Sequence, residues 1–348
     1  MKSLRVGLVG CGGISFSHAL AMARVRAVRI AAVAEPKTEN RDRFIGFTTP
    51  GIERRVASDE AFRKAVMKVR KMTAECVAYE KYERMLEREP LDAVLILTPH
   101  TLHHRQILDA LDAGLHVLVE KPMVCTVPHA EKVVEAARKS GKVLGVAYQR
   151  HVEPNYVYMR EAVRSRKLGK IEYMSFLLCQ SWYEFTKHTW RRSPKLAGGG
   201  QLMDSGSHIV DAMLWVSGLK PKRVFAKIRC LDARVDINSA LTVEFANGAI
   251  GQVSIVGKTV IPFSEEFMIT GSDGVLHYES GRLSYYDGSG ARTFPRVPRS
   301  SRTTPVSNFV DAIGGRAEIA APPEWGLAVA RLTEAAFRSA ERGTYVNV

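Results

Sequence analysis

Cysteine is scarce in this chain. Five residues (Cys11, Cys76, Cys125, Cys179, Cys230) are scattered over 348 positions, odd in number, with no CxxC pair and no Cys/His cluster. Such a distribution offers no disulfide framework and no structural zinc, and it suits a reducing compartment. Long apolar runs are also missing: no stretch reaches the roughly 18–20 residues a membrane helix needs. The opening MKSLRVGLVGCGG enters a strand pattern at once, leaving no room for the regions of a secretory leader. A cytoplasmic protein without membrane contact is therefore expected. Internal repeats and low-complexity tracts are absent. Acidic residues are outnumbered, 36 against 50 basic ones, for a net charge of +14. The densest basic region, Arg54 to Lys81, interleaves its charges with Ala61, Phe62, Ala65, Val66 and Val69 at helical spacing. That is the pattern of a solvated helix face, so no nucleic-acid partner is expected. The field would instead help draw in an anionic cofactor or an acidic substrate.

What remains is ordinary globular composition, 46% hydrophobic and 25% charged, in a chain long enough for two domains. Leu4–Val9, Val28–Ala34, Leu91–Leu97, His116–Val119 and Val143–Ala147 read as apolar strands, separated by helical patterns that stop at Gly114 and Gly141. Regular alternation of this kind predicts a doubly wound parallel sheet over residues 1–150. Beyond about Glu153 the texture changes. A helix is predicted over Asn155–Lys167 and a long strand over Ile171–Phe185. Asn247-Gly248 marks a hairpin between Ser239–Ala246 and Ala249–Val256. Shorter strands follow at Met268–Thr270, Val275–Tyr278 and Arg282–Tyr286, then a surface loop over Gly288–Pro305. Residues 151–321 are thus expected to form an α+β domain with an open-faced, mainly antiparallel sheet. A closing helix over Glu324–Ser339, within 322–348, is expected to pack back on the first domain.

Gly10-Cys11-Gly12-Gly13-Ile14-Ser15 stands at the end of one strand and the start of a helix. There, glycines permit a tight turn and let backbone N–H groups approach a pyrophosphate at the positive helix end. The third glycine of the usual pattern is Ser15, still small enough for close helix–strand packing. Glu35 ends the next strand, 25 residues after Gly10, where an acid meets the ribose hydroxyls of NAD and repels the 2′-phosphate of NADP. Lys37, Arg41 and Arg43 lie just downstream and leave NADP open as the cofactor.

Four segments fall in a specific order. They are Gly10-Cys11-Gly12-Gly13 with His18, Thr98-Pro99-His100-Thr101-Leu102-His103, Ala113-Gly114-Leu115-His116-Val117-Leu118-Val119-Glu120-Lys121-Pro122, and Gly198-Gly199-Gly200-Gln201-Leu202-Met203-Asp204-Ser205-Gly206-Ser207-His208-Ile209-Val210-Asp211. Together they closely resemble the Gfo/Idh/MocA family, which includes glucose–fructose oxidoreductase and inositol dehydrogenase. The likeness runs nearly the full length, to Glu334-Ala335-Ala336 with Ser339-Ala340. It implies a Rossmann domain joined to an open-faced sheet domain. It also implies that Thr98, Pro99, His100, His103, Glu120, Lys121 and Gln149 contribute to the cofactor site, with Glu120 and Lys121 reaching the substrate as well. Trp190 and Arg191 resemble a segment that meets the cofactor from the second domain; the alternative is a Trp packed in the sheet core. Two departures stand out: His100 replaces the family's usual Asn, and residues 54–73 look inserted.

Oxidising a secondary alcohol requires a base for the hydroxyl proton and a cation for the developing alkoxide. Asp204 and His208 lie four residues apart, behind a glycine triplet read as flexible, and Lys121 ends a strand at the carboxyl edge. The resemblance implies that Lys121, Asp204 and His208 form the reaction centre. His208 is then the general base or acid, Lys121 polarises the reacting oxygen and Asp204 orients both; the roles of Lys121 and His208 are interchangeable at this stage. Tyr148, Arg150 and His188 are further candidates for lining the substrate site. On spacing alone, an Asp-x-x-x-His such as Asp204 and His208 is more often a helix N-cap with a polar contact, and Asp204, His208 and Asp211 have a spacing open to a divalent metal; no metal is expected. The expected function is an NAD(P)-dependent oxidoreductase acting on a sugar, cyclitol or sugar derivative. A non-catalytic NAD(P)-binding sensor and an NAD-dependent glycosidase are the alternatives. The open sheet predicts a homo-oligomer, dimer or tetramer.

Overall fold

The computed structural model describes residues 3–298, 301 and 303–348. Among them, six strands form a first sheet: β1 (Leu4–Val9), β2 (Val28–Ala34), β3 (Val77–Tyr79), β4 (Ala93–Ile96), β5 (His116–Val119) and β6 (Leu144–Val146). Their order is β3-β2-β1-β4-β5-β6 and every pairing is parallel. Helices cover both faces, which is why the strands read as continuous apolar runs. Val94, Ile96, Val117 and Val119 are each fully buried, and each such side chain contributes about 1.5–3 kcal/mol. The order reverses between β1 and β4, the switch point at whose carboxyl edge open α/β sheets bind ligands. The basic segment predicted to be a solvated helix forms two helices, Pro50–Ser58 and Glu60–Ala74. They turn Ile52, Val66 and Val69 inward and leave Arg54, Arg63, Lys64 and Lys71 exposed.

The second sheet has nine strands among the described residues. They are β7 (Ile171–Gln180), β8 (Pro221–Arg229), β9 (Asn238–Phe245), β10 (Ile250–Val256), β11 (Phe263–Gly271), β12 (Gly274–Glu279), β13 (Arg282–Asp287), β14 (Arg292–Thr293) and β15 (Val346–Asn347). The order is β14-β13-β12-β11-β7-β10-β9-β8-β15, antiparallel except where β7 meets β10. Burial alternates along β10: Gly251, Val253 and Ile255 face inward while Ile250 and Gln252 are exposed. The inner face packs on the helix Ser205–Ser217, itself flanked by Pro154–Arg164 and Pro323–Arg342. The last of these helices also lies along the helix Val127–Ser140 of the first domain, where Glu334 accepts the Val127 amide at 2.9 Å. The final residues return to the second sheet as β15 beside β8.

Three local expectations need correction. The strand from Ile171 stops at Gln180, and Trp182–Phe185 is a helical turn, because the Trp182 ring is drawn into a buried cluster with Val235 and Ile237. β11 is nine residues long, not three, its first half disguised by Ser264-Glu265-Glu266. Within the loop expected over Gly288–Pro305, Arg292–Thr293 pairs with β13, and Pro305 opens the helix Pro305–Ile313 under a capping box of Thr304 and Ser307. Arg299, Ser300 and Arg302 of that loop lie outside the described residues. Among the described residues no helix is long and apolar enough to cross a membrane.

Candidate active site

Three of the four segments singled out in the sequence follow strands of the first sheet at their carboxyl ends, after β1, β4 and β5, while Gly198–Asp211 comes from the second domain. Gly10 takes φ +96° directly after β1, a backbone state that disfavours side chains. Gly12 caps the helix Gly13–Met22 without a side-chain bond, and nothing lies within 4 Å of where a Cβ would stand on Gly12 or Gly13. The helix end is therefore open for an anionic group to approach its free N–H groups. Beside it lies a cavity of about 350 Å³ lined by Gly12, Gly13, Ile14, Thr98, His100, Glu120, Lys121, Trp190 and Arg191. Glu35 is buried next to the turn: its carboxylate accepts the Cys11 amide at 2.9 Å and the Lys37 amide at 3.0 Å.

Lys121 and Asp204 meet across the two domains. The Lys121 Nζ donates to Asp204 Oδ1 at 2.7 Å, and the other carboxylate oxygen accepts Trp182 Nε1 at 2.8 Å and Arg191 Nε at 2.7 Å. Asp204 is 4% exposed. Burial alone would raise its carboxyl, but the Lys121 and Arg191 cations outweigh that and hold it well below the usual carboxylate range. Asp204 is therefore ionised at neutral pH. Asp204 makes no side-chain cap of its helix; the carboxylate is spent on the three donors instead.

His208 sits one turn along the helix Ser205–Ser217, and its Nδ1 is buried without a hydrogen-bond partner. Burial first, then the charges of Arg150 and Lys121, hold the imidazole well below its ordinary value, so it is neutral. Tyr148, 1% exposed, crosses His208 edge-on with ring centroids 6.0 Å apart, and its hydroxyl is likewise unpartnered. Arg150 forms a buried ion pair with Glu265, and its Nε donates to the Tyr156 hydroxyl at 3.1 Å, which donates to Glu265 at 2.8 Å. Its second terminal nitrogen is buried and free.

His100 bridges the domains. Its Nδ1 lies 3.0 Å from the Ala197 carbonyl, Nε2 is 3.6 Å from Asp204, and Trp190 packs on it at 4.7 Å. Burial pushes this imidazole down to about 3, so Nδ1 donates and Nε2 carries the lone pair. Trp190 is accordingly no sheet-core residue; Arg191 stacks over it at 4.4 Å. Asp204, His208, Tyr148 and Arg150 are not among the residues that line the cavity, and the remaining candidates lie apart from it too. His103 is fully buried, with its ring nitrogens 2.9 Å from the carbonyls of Thr98 and Pro122, and it braces those two loops. Pro99 opens the turn His100–Leu102, Gln149 is half-buried at the start of the turn Gln149–Val152, and His188 is exposed. Asp211 pairs with His151 at 2.9 Å and joins neither Asp204 nor His208. Among the described residues no group of three or more His, Cys, Asp or Glu is arranged to hold a metal.

His18, quoted with the first motif but given no role there, binds Glu120 at 2.7 Å and ties the glycine-turn helix to the Lys121 loop. Three contributors escaped the sequence reading. Trp182 and Asp236 fix the Asp204 segment, and Glu265 anchors Arg150. Glu265 alone carried a local signal, since it shares inward parity with Phe267 and Ile269 on β11. The glycine triplet is also placed by close approach. Gly198 takes φ +71°, and a Cβ on Gly200 would stand 1.9 Å from the Asp236 carbonyl oxygen.

Comparison with known proteins agrees with the two-part fold. A family model described as "Oxidoreductase family, NAD-binding Rossmann fold" matches residues 4–148, and one for the GFO/IDH/MocA C-terminal domain matches 156–277. The rhizopine catabolism protein MocA of Rhizobium meliloti is 30% identical over 221 residues, 64% of this chain and 59% of that protein. D-glucoside 3-dehydrogenase of Escherichia coli (strain K12) is 27% identical over 299 residues, 74% of this chain and 79% of the relative. The WlbA dehydrogenase of Bordetella pertussis, solved with NADH and UDP-GlcNAcA, superposes with a TM-score of 0.82 over 100% of this chain and 98% of its own, at 21% identity. That last likeness establishes the fold.

Proposed function

The chain belongs to the GFO/IDH/MocA family of oxidoreductases with an NAD-binding Rossmann fold, and from that premise we propose that it oxidises or reduces a secondary alcohol of a sugar, cyclitol or sugar derivative. The observation that carries this reading is the buried Lys121–Asp204 pair at the edge of the glycine-turn cavity, beside a neutral and unpartnered His208. NAD, when bound, accepts or returns the hydride. Gly12 and Gly13 have the open backbone such a pyrophosphate needs, and Arg191 supplies a cation on the far wall. Glu35 favours NAD over NADP, since a carboxylate beside the turn accepts ribose hydroxyls and repels an added phosphate.

The chain's own residues divide the remaining work. His208 takes the hydroxyl proton in the oxidative direction and returns it in the other. The Lys121 ammonium donates to the reacting oxygen as its negative charge grows. Asp204, gripped from three sides, fixes where that ammonium points. The unpartnered Tyr148 hydroxyl and Arg150 nitrogen are groups a polyol's other hydroxyls can satisfy. A panel of sugars and cyclitols, followed at the nicotinamide absorbance band, tests the assignment. Substrate-dependent NADH formation is expected, faster with NAD than with NADP. No turnover with any member, while NAD still binds, would remove the enzymatic reading.

The outer face of the second sheet carries two exposed apolar side chains, Ile250 beside Tyr173 and Glu244, and Met268 beside Ser175 and His277. A second copy of the chain is proposed to cover it. Sedimentation at micromolar concentration should give a dimer or a tetramer; a monomer would refute this.

A further inference from the structure

We infer that Asp236 is the positioning residue for Asp204, holding it through three consecutive backbone amides. The Asp236 carboxylate accepts Gly200 N at 2.5 Å on Oδ1 and Leu202 N at 2.7 Å on Oδ2, while its own carbonyl accepts Gln201 N at 2.9 Å. One residue from the loop between β8 and β9 thus fixes the segment that leads into Asp204. From there the Gly200 carbonyl accepts Asp204 N at 2.9 Å, and the Gln201 carbonyl accepts Gly206 N at 2.7 Å, so the register passes into the helix bearing His208.

Two further observations point the same way. Asp236 is 3% exposed, and its neighbours Val235 and Ile237 pack on Trp182, whose indole N–H donates to Asp204. The carboxylate is therefore approached from two directions by a single strand entry: its backbone from Asp236, its Oδ2 donor from the flanking side chains. Gly200 supplies the second observation, because only a residue without Cβ comes this close to the Asp236 backbone. A buried carboxylate costs heavily unless it is hydrogen-bonded. Burial pushes the Asp236 carboxyl up from its ordinary value, and the Leu202 and Gly200 amides pull it back.

The inference rests on Asp204 belonging to the reaction centre, so its test includes readouts that need no substrate. In Asp236→Asn the side-chain NH₂ faces an amide donor, and one of the two clasps is lost. Amide exchange, read by mass spectrometry on a peptide spanning residues 198–204, should quicken at least about tenfold, the effect of losing one bond to a charged acceptor. Acylation of Lys121 by acetic anhydride should quicken as its Asp204 contact loosens. On a substrate found in the panel, kcat should fall about 10–100-fold with the KM for NAD unchanged. Val69→Ala, in the helix Glu60–Ala74 and outside this chain of contacts, serves as the control: it lowers stability through packing and leaves Lys121 acylation as in the wild type. Should Asp236→Asn fail to fold, Asp236→Glu retains the charge, displaces the amides and should shift the same readouts. A folded variant at Asp236 whose Lys121 acylation and 198–204 exchange match the wild type overturns the inference. Absence of turnover in the wild type sinks the enzymatic reading alone, and the two substrate-free readouts still decide this one.

Discussion

Replacing His208 by alanine is expected to lower kcat about 10²–10⁴-fold, the range of a positioned general acid or base, with NAD affinity retained. The argument starts from its surroundings. Burial and the Arg150 and Lys121 cations keep the imidazole uncharged, so a lone pair stands ready for a hydroxyl proton at neutral pH. Its Nδ1 has no protein partner, so removal of the ring leaves no donor or acceptor stranded and the fold should survive. The pH profile carries a second expectation. Because the folded imidazole protonates well below its ordinary value near 6.5, the acid limb of the wild-type kcat/KM profile should fall well below pH 6.5. In His208→Ala that limb should vanish. Steady-state rates from pH 4 to 9, with NAD binding followed by fluorescence, check both. A variant with near wild-type turnover would pass the base role to Lys121.

What could be read without coordinates was what the chain writes locally. The glycine turn, Glu35 and the Glu-Lys-Pro segment each sit at a strand end marked by apolar runs and breakers, so their order along the chain maps directly onto one edge of the parallel sheet. The Asp204–His208 spacing is local too. The groups that support them are not. Trp182 reaches Asp204 across 22 positions and Asp236 reaches Gly200 across 36, distances at which no periodicity operates. β11 was mostly hidden because, although Glu265 shares the inward parity of Phe267 and Ile269, nothing local shows what would pair a buried carboxylate there: Arg150 lies 115 positions away. The triplet Gly198-Gly199-Gly200 invited an account in terms of flexibility, since glycine alone does not say whether it serves freedom or close approach. Only the Asp236 contact decides for close approach. The same limit explains His103, whose motif is legible while its burial between two carbonyls is not.

Asp204→Ala should produce the largest combined loss in the molecule. Three donors converge on one buried carboxylate: the Lys121 ammonium, the Arg191 guanidinium and the Trp182 indole. Deleting it leaves two like charges and an N–H facing an empty site, and removing one partner of a buried ion pair costs about 3–5 kcal/mol. Tm should fall by roughly 2–4 °C for each kcal/mol, and kcat should collapse because nothing then holds Lys121 on the reacting oxygen. Asp204→Asn is the sharper test, since it keeps the shape and removes the charge. The sign of its pH dependence follows from the native carboxyl being held low. Its contribution is fully present above the unfolded value of about 3.9 and is lost only as pH falls through the lower folded one. The gap in Tm between wild type and Asp204→Asn should therefore stay constant from pH 8 to 5 and begin to narrow only below about pH 4. Thermal scans at pH 7, 5 and 3 measure it. A gap that closes already between pH 7 and 5 would mean that Asp204 is not the charged partner of Lys121, and the proton-handling arrangement built on that pair would have to be abandoned.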